Sequence, residues 1–125
     1  MTKKTILLIE DEADLCELLQ DELSQAGYRV CIARNGEQGL EQIHNIDPDL
    51  ILCDRAMPKM SGYDLLERIR GVYPQYSDIP FIFLTALADA RDGDAVKHLK
   101  PSAYLGKPVD FDLLREEVKQ ALKNA

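Results

Sequence analysis

The chain has 125 residues, and 22 acidic against 15 basic side chains give it a formal net charge of -7. A content of 46% apolar and 30% charged residues is that of an ordinary globular protein and excludes disordered, collagen-like and membrane classes. The acidic balance and the lack of a basic run argue against a nucleic-acid surface. No apolar stretch is long enough to span a bilayer or serve as a signal peptide, so the cytoplasm is the expected location.

In chain order, a continuous apolar run at 6–9 reads as a first strand buried on both faces. Leu15, Leu18, Leu19, Leu23 and Ala26 follow at helical spacing. A second run, 30–33, precedes a helix whose start is marked by Leu40 and Ile43, and a third, 50–53, precedes a stripe of Leu65, Leu66, Ile69 and Val72. The run at 81–84 leads to a weaker helical segment at 89–99, which contains Gly93 and is closed by Pro101. A fifth, short run at 103–105 precedes a last helix carrying Leu114, Val118, Ala121 and Leu122. Strand followed by helix, five times over, predicts an α/β fold with an open, doubly wound parallel sheet. Residues 1–125 read as one domain, either whole or part of a longer chain. Cys16, Cys31 and Cys53 show no C-x-x-C spacing and are expected to be reduced, buried structural thiols.

In such a sheet the binding crevice lies at the carboxyl ends of the strands. The first run ends in Glu10 and Asp11, the third in Asp54, the fourth in Thr85, and the fifth leads to Lys107 and Pro108. Taken singly, Asp11 and Thr85 read as helix caps, Asp54 as a turn residue and Lys107 as a solvated lysine. Together they form a site of three carboxylates, a hydroxyl and an ammonium. Two carboxylates about 4 Å apart repel by roughly 4 kcal/mol at an effective dielectric of about 20, so either a metal binds or the pKa values rise. Oxygen ligands suit Mg²⁺. Thiolate or imidazole metals are disfavoured, because Cys53 should point away from Asp54. A carboxylate beside such a cation can also act as a nucleophile and form an acyl phosphate, with Thr85 and Lys107 contacting the phosphoryl oxygens.

The stretches ILLIEDE at 6–12, DLILCD at 49–54 followed by Met57, Pro58 and Gly62, PFIFLTA at 80–86 and YLGKP at 104–108 resemble the receiver domain of bacterial two-component response regulators. The resemblance covers essentially the whole chain and implies a chemotaxis-regulator-like (flavodoxin-like) fold with strand order 2-1-3-4-5. It implies that Asp54 takes a phosphoryl group from a histidine kinase or phosphotransfer protein. Glu10, Asp11, Asp54 and the Ala56 backbone carbonyl would hold Mg²⁺, Lys107 would contact the phosphoryl group, and Thr85 and Tyr104 would form the switch. The face made by the 89–99 helix, the fifth strand and the last helix would then signal to an effector and be available for dimer formation. The domain would act on itself rather than as an enzyme for outside substrates.

Two features depart from that pattern. Arg55 stands where an apolar residue is common, and Lys100, Pro101 and Ala103 precede Tyr104. Ala56 and Leu87 place two apolar side chains where hydrolysis is influenced, which predicts a long-lived acyl phosphate. Rival readings are a pseudo-receiver binding module, in which the Arg55 cation partly replaces a metal, a flavodoxin-like cofactor binder and an aspartate-nucleophile phosphatase. The cofactor binder lacks a phosphate-cradling loop, since 10–14 is acidic, and the phosphatase lacks a second acid two residues after Asp54.

Overall fold

Continuous apolar runs need cover on both faces; in the computed structural model the three central strands have it, whereas the two edge strands, expected to be equally buried, are largely half-buried because each has a neighbour on one side only. The strands are β1 (Thr5–Ile9), β2 (Arg29–Ala33), β3 (Leu50–Asp54), β4 (Phe81–Ala86) and β5 (Ala103–Lys107). The structure describes residues 3–86 and 101–125; the helix expected at 89–99, with Leu87 and Lys100, lies outside them. All neighbours are parallel and the order is β2-β1-β3-β4-β5, as the resemblance implied. One row shows the register: Leu8 pairs with Ile32 and Leu52, Leu52 with Ile82, and Ile82 with Ala103.

Alternation along each strand divides the core into two layers. Leu7, Ile9, Ile51, Cys53, Phe81 and Phe83 pack with residues of α2 (Gly36–Ile46) and α3 (Gly62–Val72). Ile6, Leu8, Leu50, Leu52, Ile82 and Leu84 pack with residues of α1 (Ala13–Gln25) and α4 (Phe111–Lys123). Each fully buried Leu, Ile or Phe contributes roughly 1.5–3 kcal/mol relative to exposure, so the layers supply most of the driving force. Arg115 of α4 pairs with Glu22 of α1, tying those two helices together. No helix among the described residues is long and apolar enough to cross a membrane.

Three expected core positions are corrected, the first being Ala26, which caps the end of α1 and is exposed. Leu18 is 54% exposed and Val72 63% exposed. The inner face of α1 is carried by Cys16, Leu19 and Leu23, which leaves Leu18 outside. Val72 is the final residue of α3, and Tyr76 and Ile79 beyond it supply the burial instead. The short stripe of α2 also has a cause: a Cβ on Gly39 would stand 2.7 Å from Ile9 Cδ1, so close approach replaces side-chain bulk. Cys16 and Cys53 are buried free thiols as expected, whereas Cys31 on the edge strand β2 is only half-buried.

Gly62 fixes the start of α3 against the end of β3. A Cβ there would lie 2.6 Å from the Asp54 carbonyl oxygen and 3.0 Å from Arg55 Cα, both backbone atoms that cannot swing aside. Gly71, inside the same helix, has nothing within 4 Å of such a Cβ. Denaturant unfolding should therefore show Gly62→Ala destabilised by about 2 kcal/mol or more, by analogy with overpacking, and Gly71→Ala stabilised by about 0.5–1 kcal/mol. Equal effects of the two substitutions would contradict this packing.

Candidate functional site

The strand ends deliver the predicted residues to one place. Glu10 follows β1 directly, its backbone N–H donating to Ala33 O at 3.1 Å, and it is fully buried. Its Oε2 accepts the Glu12 N–H at 3.1 Å. Asp11 is exposed on the next loop, where Arg34 Nη2 donates to its carbonyl oxygen at 2.8 Å. Asp54 closes β3 and is 6% exposed, with Oδ1 accepting the Ala56 N–H at 3.3 Å. Carboxylate oxygens of Glu10, Asp11 and Asp54 all lie within 4.8 Å of one another. Lys107 closes β5 and reaches over the sheet end: its Nζ is 3.0 Å from Glu10 Oε1 and 3.3 Å from Asp54 Oδ1. Asp54, Arg55, Ala56, Thr85 and Lys107 line a cleft of about 280 Å³ together with Asp11, Glu12 and Ala86.

The individual expectations resolve in detail. Thr85 is inside β4 rather than after it, and its hydroxyl donates to Ala86 O at 3.3 Å. Asp11 is not the cap of α1; Glu12 holds that position, with no side-chain cap bond. Cys53 does point away from Asp54, into the layer beneath α2 and α3. Tyr104 is 38% exposed on β5, its ring stacked on Phe83. Pro101 and Ala103 leave the approach to β5 firmly held, because Ser102 N–H donates to Phe81 O at 2.7 Å and Ser102 Oγ accepts the Phe81 N–H at 3.2 Å. The loop bearing Arg55 and Ala56 is pinned by buried Met57 and by the Gly62 N–H, which donates to Arg55 O at 2.8 Å. Sequence reasoning missed Glu12, Arg34 and Ser102, whose contacts are made by backbone groups or across 21 or more residues.

Crowding has an electrostatic cost. Burial lifts Glu10 from an ordinary 4.5 to about 7; the Glu12 N–H and Lys107 oppose that rise, and the charge of Asp54 adds to it. Burial also raises Asp54, against the pull of Lys107 and the Ala56 N–H, with the charge of Asp11 adding to the rise. Burial disfavours the Lys107 ammonium, but its bonds to Glu10 and the charges of Glu10 and Asp54 outweigh that and hold its pKa above the usual lysine value.

The raised Glu10 value fixes the sign of a pH dependence. The folded protein keeps the Glu10 proton up to about 7, the unfolded chain only to about 4.5, so stability from the protonated acid is complete below 4.5 and is lost as pH rises through 7. Unfolding free energy of the chelator-treated protein should fall by roughly 2 kcal/mol between about pH 5 and about pH 8, and Glu10→Gln should remove most of that slope. Parallel pH profiles for the two proteins would contradict this reading.

Known proteins resemble this chain in sequence and fold. The model of the response regulator receiver domain matches residues 6–119. Transcriptional regulatory protein ZraR of Klebsiella oxytoca is 40% identical over 119 residues, which cover 94% of this chain and 26% of ZraR. The protein ycf27 of Guillardia theta is 35% identical over 122 residues, 98% of this chain and 46% of its own length. This chain thus spans less than half the length of either relative. The crystal structure of the signal receiver domain of a signal transduction histidine kinase from Syntrophus aciditrophicus superimposes with a TM-score of 0.88 at 33% identity, covering 98% of this chain and 92% of that one. A match that runs from β1 into α4, on a fold shared with the Syntrophus receiver domain, makes the chain a member of the response regulator receiver domain family of two-component signal transduction.

Proposed function

We propose that Asp54 accepts a phosphoryl group from a histidine kinase or a histidine phosphotransfer protein, and that the modified domain signals to a downstream effector through the face around Tyr104. The observation that carries this reading is the bridge made by Lys107, 3.0 Å from Glu10 and 3.3 Å from Asp54, beside three carboxylates whose oxygens lie within 4.8 Å of one another. An Asp54 oxygen attacks phosphorus, a P–O bond forms as the donor's P–N bond breaks, and the departing imidazole nitrogen takes up a proton. Lys107 meets the phosphoryl oxygens as a fixed cation, and the Thr85 hydroxyl turns to donate to them.

The donor set is all oxygen and closely spaced, which fits a hard divalent cation. Glu10, Asp11, Asp54 and the Ala56 carbonyl would hold Mg²⁺, which would supply positive charge against the added phosphoryl group. The domain promotes only its own phosphorylation and dephosphorylation, and a cytoplasmic location suits a kinase partner. ZraR is named as a transcriptional regulatory protein, which favours an effector that controls transcription, with the acidic receiver itself leaving nucleic acid untouched. Thr85 and Tyr104 shift an existing equilibrium rather than create a new state, so a few kcal/mol of new contacts at the phosphoryl group are enough.

Incubation with acetyl phosphate and Mg²⁺, followed by intact-mass measurement, tests the assignment. The native chain should gain about 80 Da, the mass of one phosphoryl group, and Asp54→Asn should gain nothing. A gain that survives the substitution overturns the role of Asp54. With the small apolar Ala56 on the cleft, phosphate release from the labelled protein should take minutes or longer, and loss within seconds would contradict a poorly positioned attacking water.

A further inference from the structure

The three acids are not held alike. Glu10 is buried, with one carboxylate oxygen on the Glu12 N–H and the other beside Lys107, and Asp54 is held by the Ala56 N–H and the same ammonium. Asp11 is exposed, and among the described residues its one hydrogen bond is the one its carbonyl oxygen accepts from Arg34 Nη2, at 2.8 Å across 23 residues of chain. Arg34 stands between β2 and α2, on a loop that is itself fixed. Its N–H donates to Gln38 Oε1 at 2.8 Å, the Gln38 N–H donates to the capping Asn35 Oδ1 at 2.9 Å, and Gly39 brings α2 against Ile9 of β1. The guanidinium thereby ties the Asp11 backbone to the first turn of a helix packed on the sheet.

We propose that Arg34 is a positioning residue of the divalent-cation site: by holding the Asp11 backbone it keeps the Asp11 carboxylate beside Glu10 and Asp54, and it makes the site select Mg²⁺ over the larger Ca²⁺. The inference rests on the reading that these three acids take a divalent cation. A hydrogen bond from a charged donor is stronger than a neutral one, and the guanidinium keeps its charge at any accessible pH, so the tether persists under all conditions in which the acids are ionised. Groups that orient a ligand from behind are worth about 10–100-fold in metal affinity. Mg²⁺ demands near-octahedral oxygens at about 2.0–2.1 Å, whereas Ca²⁺ accepts about 2.3–2.6 Å in looser arrangements, so a ligand set free to wander loses Mg²⁺ first. The charge of Arg34 acts in the opposite sense. A cation near the site repels any divalent ion, and its removal by charge alone would tighten Mg²⁺ and Ca²⁺ together. Tether and charge therefore predict effects of different sign, and only the tether distinguishes the two ions.

The test is a pair of amide NMR titrations of the isotope-labelled, metal-free full chain, one with Mg²⁺ and one with Ca²⁺, at constant ionic strength. Arg34→Met, which removes both donor and charge, should raise the Kd for Mg²⁺ about tenfold or more. Its Kd for Ca²⁺ should rise by a clearly smaller factor, so that the preference for Mg²⁺ falls. Gln38→Ala, which frees the Arg34 backbone and leaves every charge in place, should shift both values in the same directions by smaller factors. Arg34 is exposed and Gln38 half-buried, so loss of folding in one variant leaves the other informative. Unchanged or tighter Mg²⁺ binding by a folded variant of either kind, or equal weakening for the two ions, overturns the positioning role. A native chain that binds no Mg²⁺ overturns the metal-site reading itself, and the role of Arg34 with it.

Discussion

One ion-pair network governs the carboxyl end of the sheet. Lys107 spans from β5 to the acids that follow β1 and close β3, and it holds Glu10 and Asp54 together although both are buried carboxylates. Two such charges at this range repel by several kcal/mol at protein-like dielectric, so the arrangement persists only because a cation, a proton or the N–H groups of Glu12 and Ala56 answer them. Burial, with a smaller push from the charge of Asp54, lifts Glu10 to about 7 against the Glu12 N–H and Lys107. Such a site suits the divalent cation proposed for it.

The remainder of the fold serves to keep those ends in register. Parallel pairing sets Ile9 beside Cys53 and Asp54 beside Leu84, so the acids and Thr85 emerge at one level of the sheet. Covering layers on both faces leave the strands no freedom to slip, since a shift by one residue would carry every apolar side chain to the wrong layer. At the start of α3, Gly62 allows the helix to press onto the Asp54 and Arg55 backbone, which makes the acceptor's position a matter of backbone packing as much as of charge.

Continuous apolar runs made the strands legible, and their terminal residues disclosed the acids, Thr85 and Lys107 before any coordinate. Strand order, by contrast, came only through resemblance, because periodicity does not say which strands are neighbours. Leu18 and Val72 were misread since helical spacing defines a stripe but not its centre or the last buried turn. The bond from Arg34 to the Asp11 carbonyl and the bonds between Ser102 and Phe81 left no sequence signal, as each depends on a backbone group brought close by the finished fold.

The central claim is that the three acids form a site short of positive charge, and calorimetric titration of the metal-free protein with Mg²⁺ addresses it most directly. One ion should bind at millimolar concentrations, raise the unfolding temperature as ligand linkage requires, and be lost or greatly weakened in Asp11→Asn. Absence of binding by the native chain, or equal binding by that variant, would contradict the account.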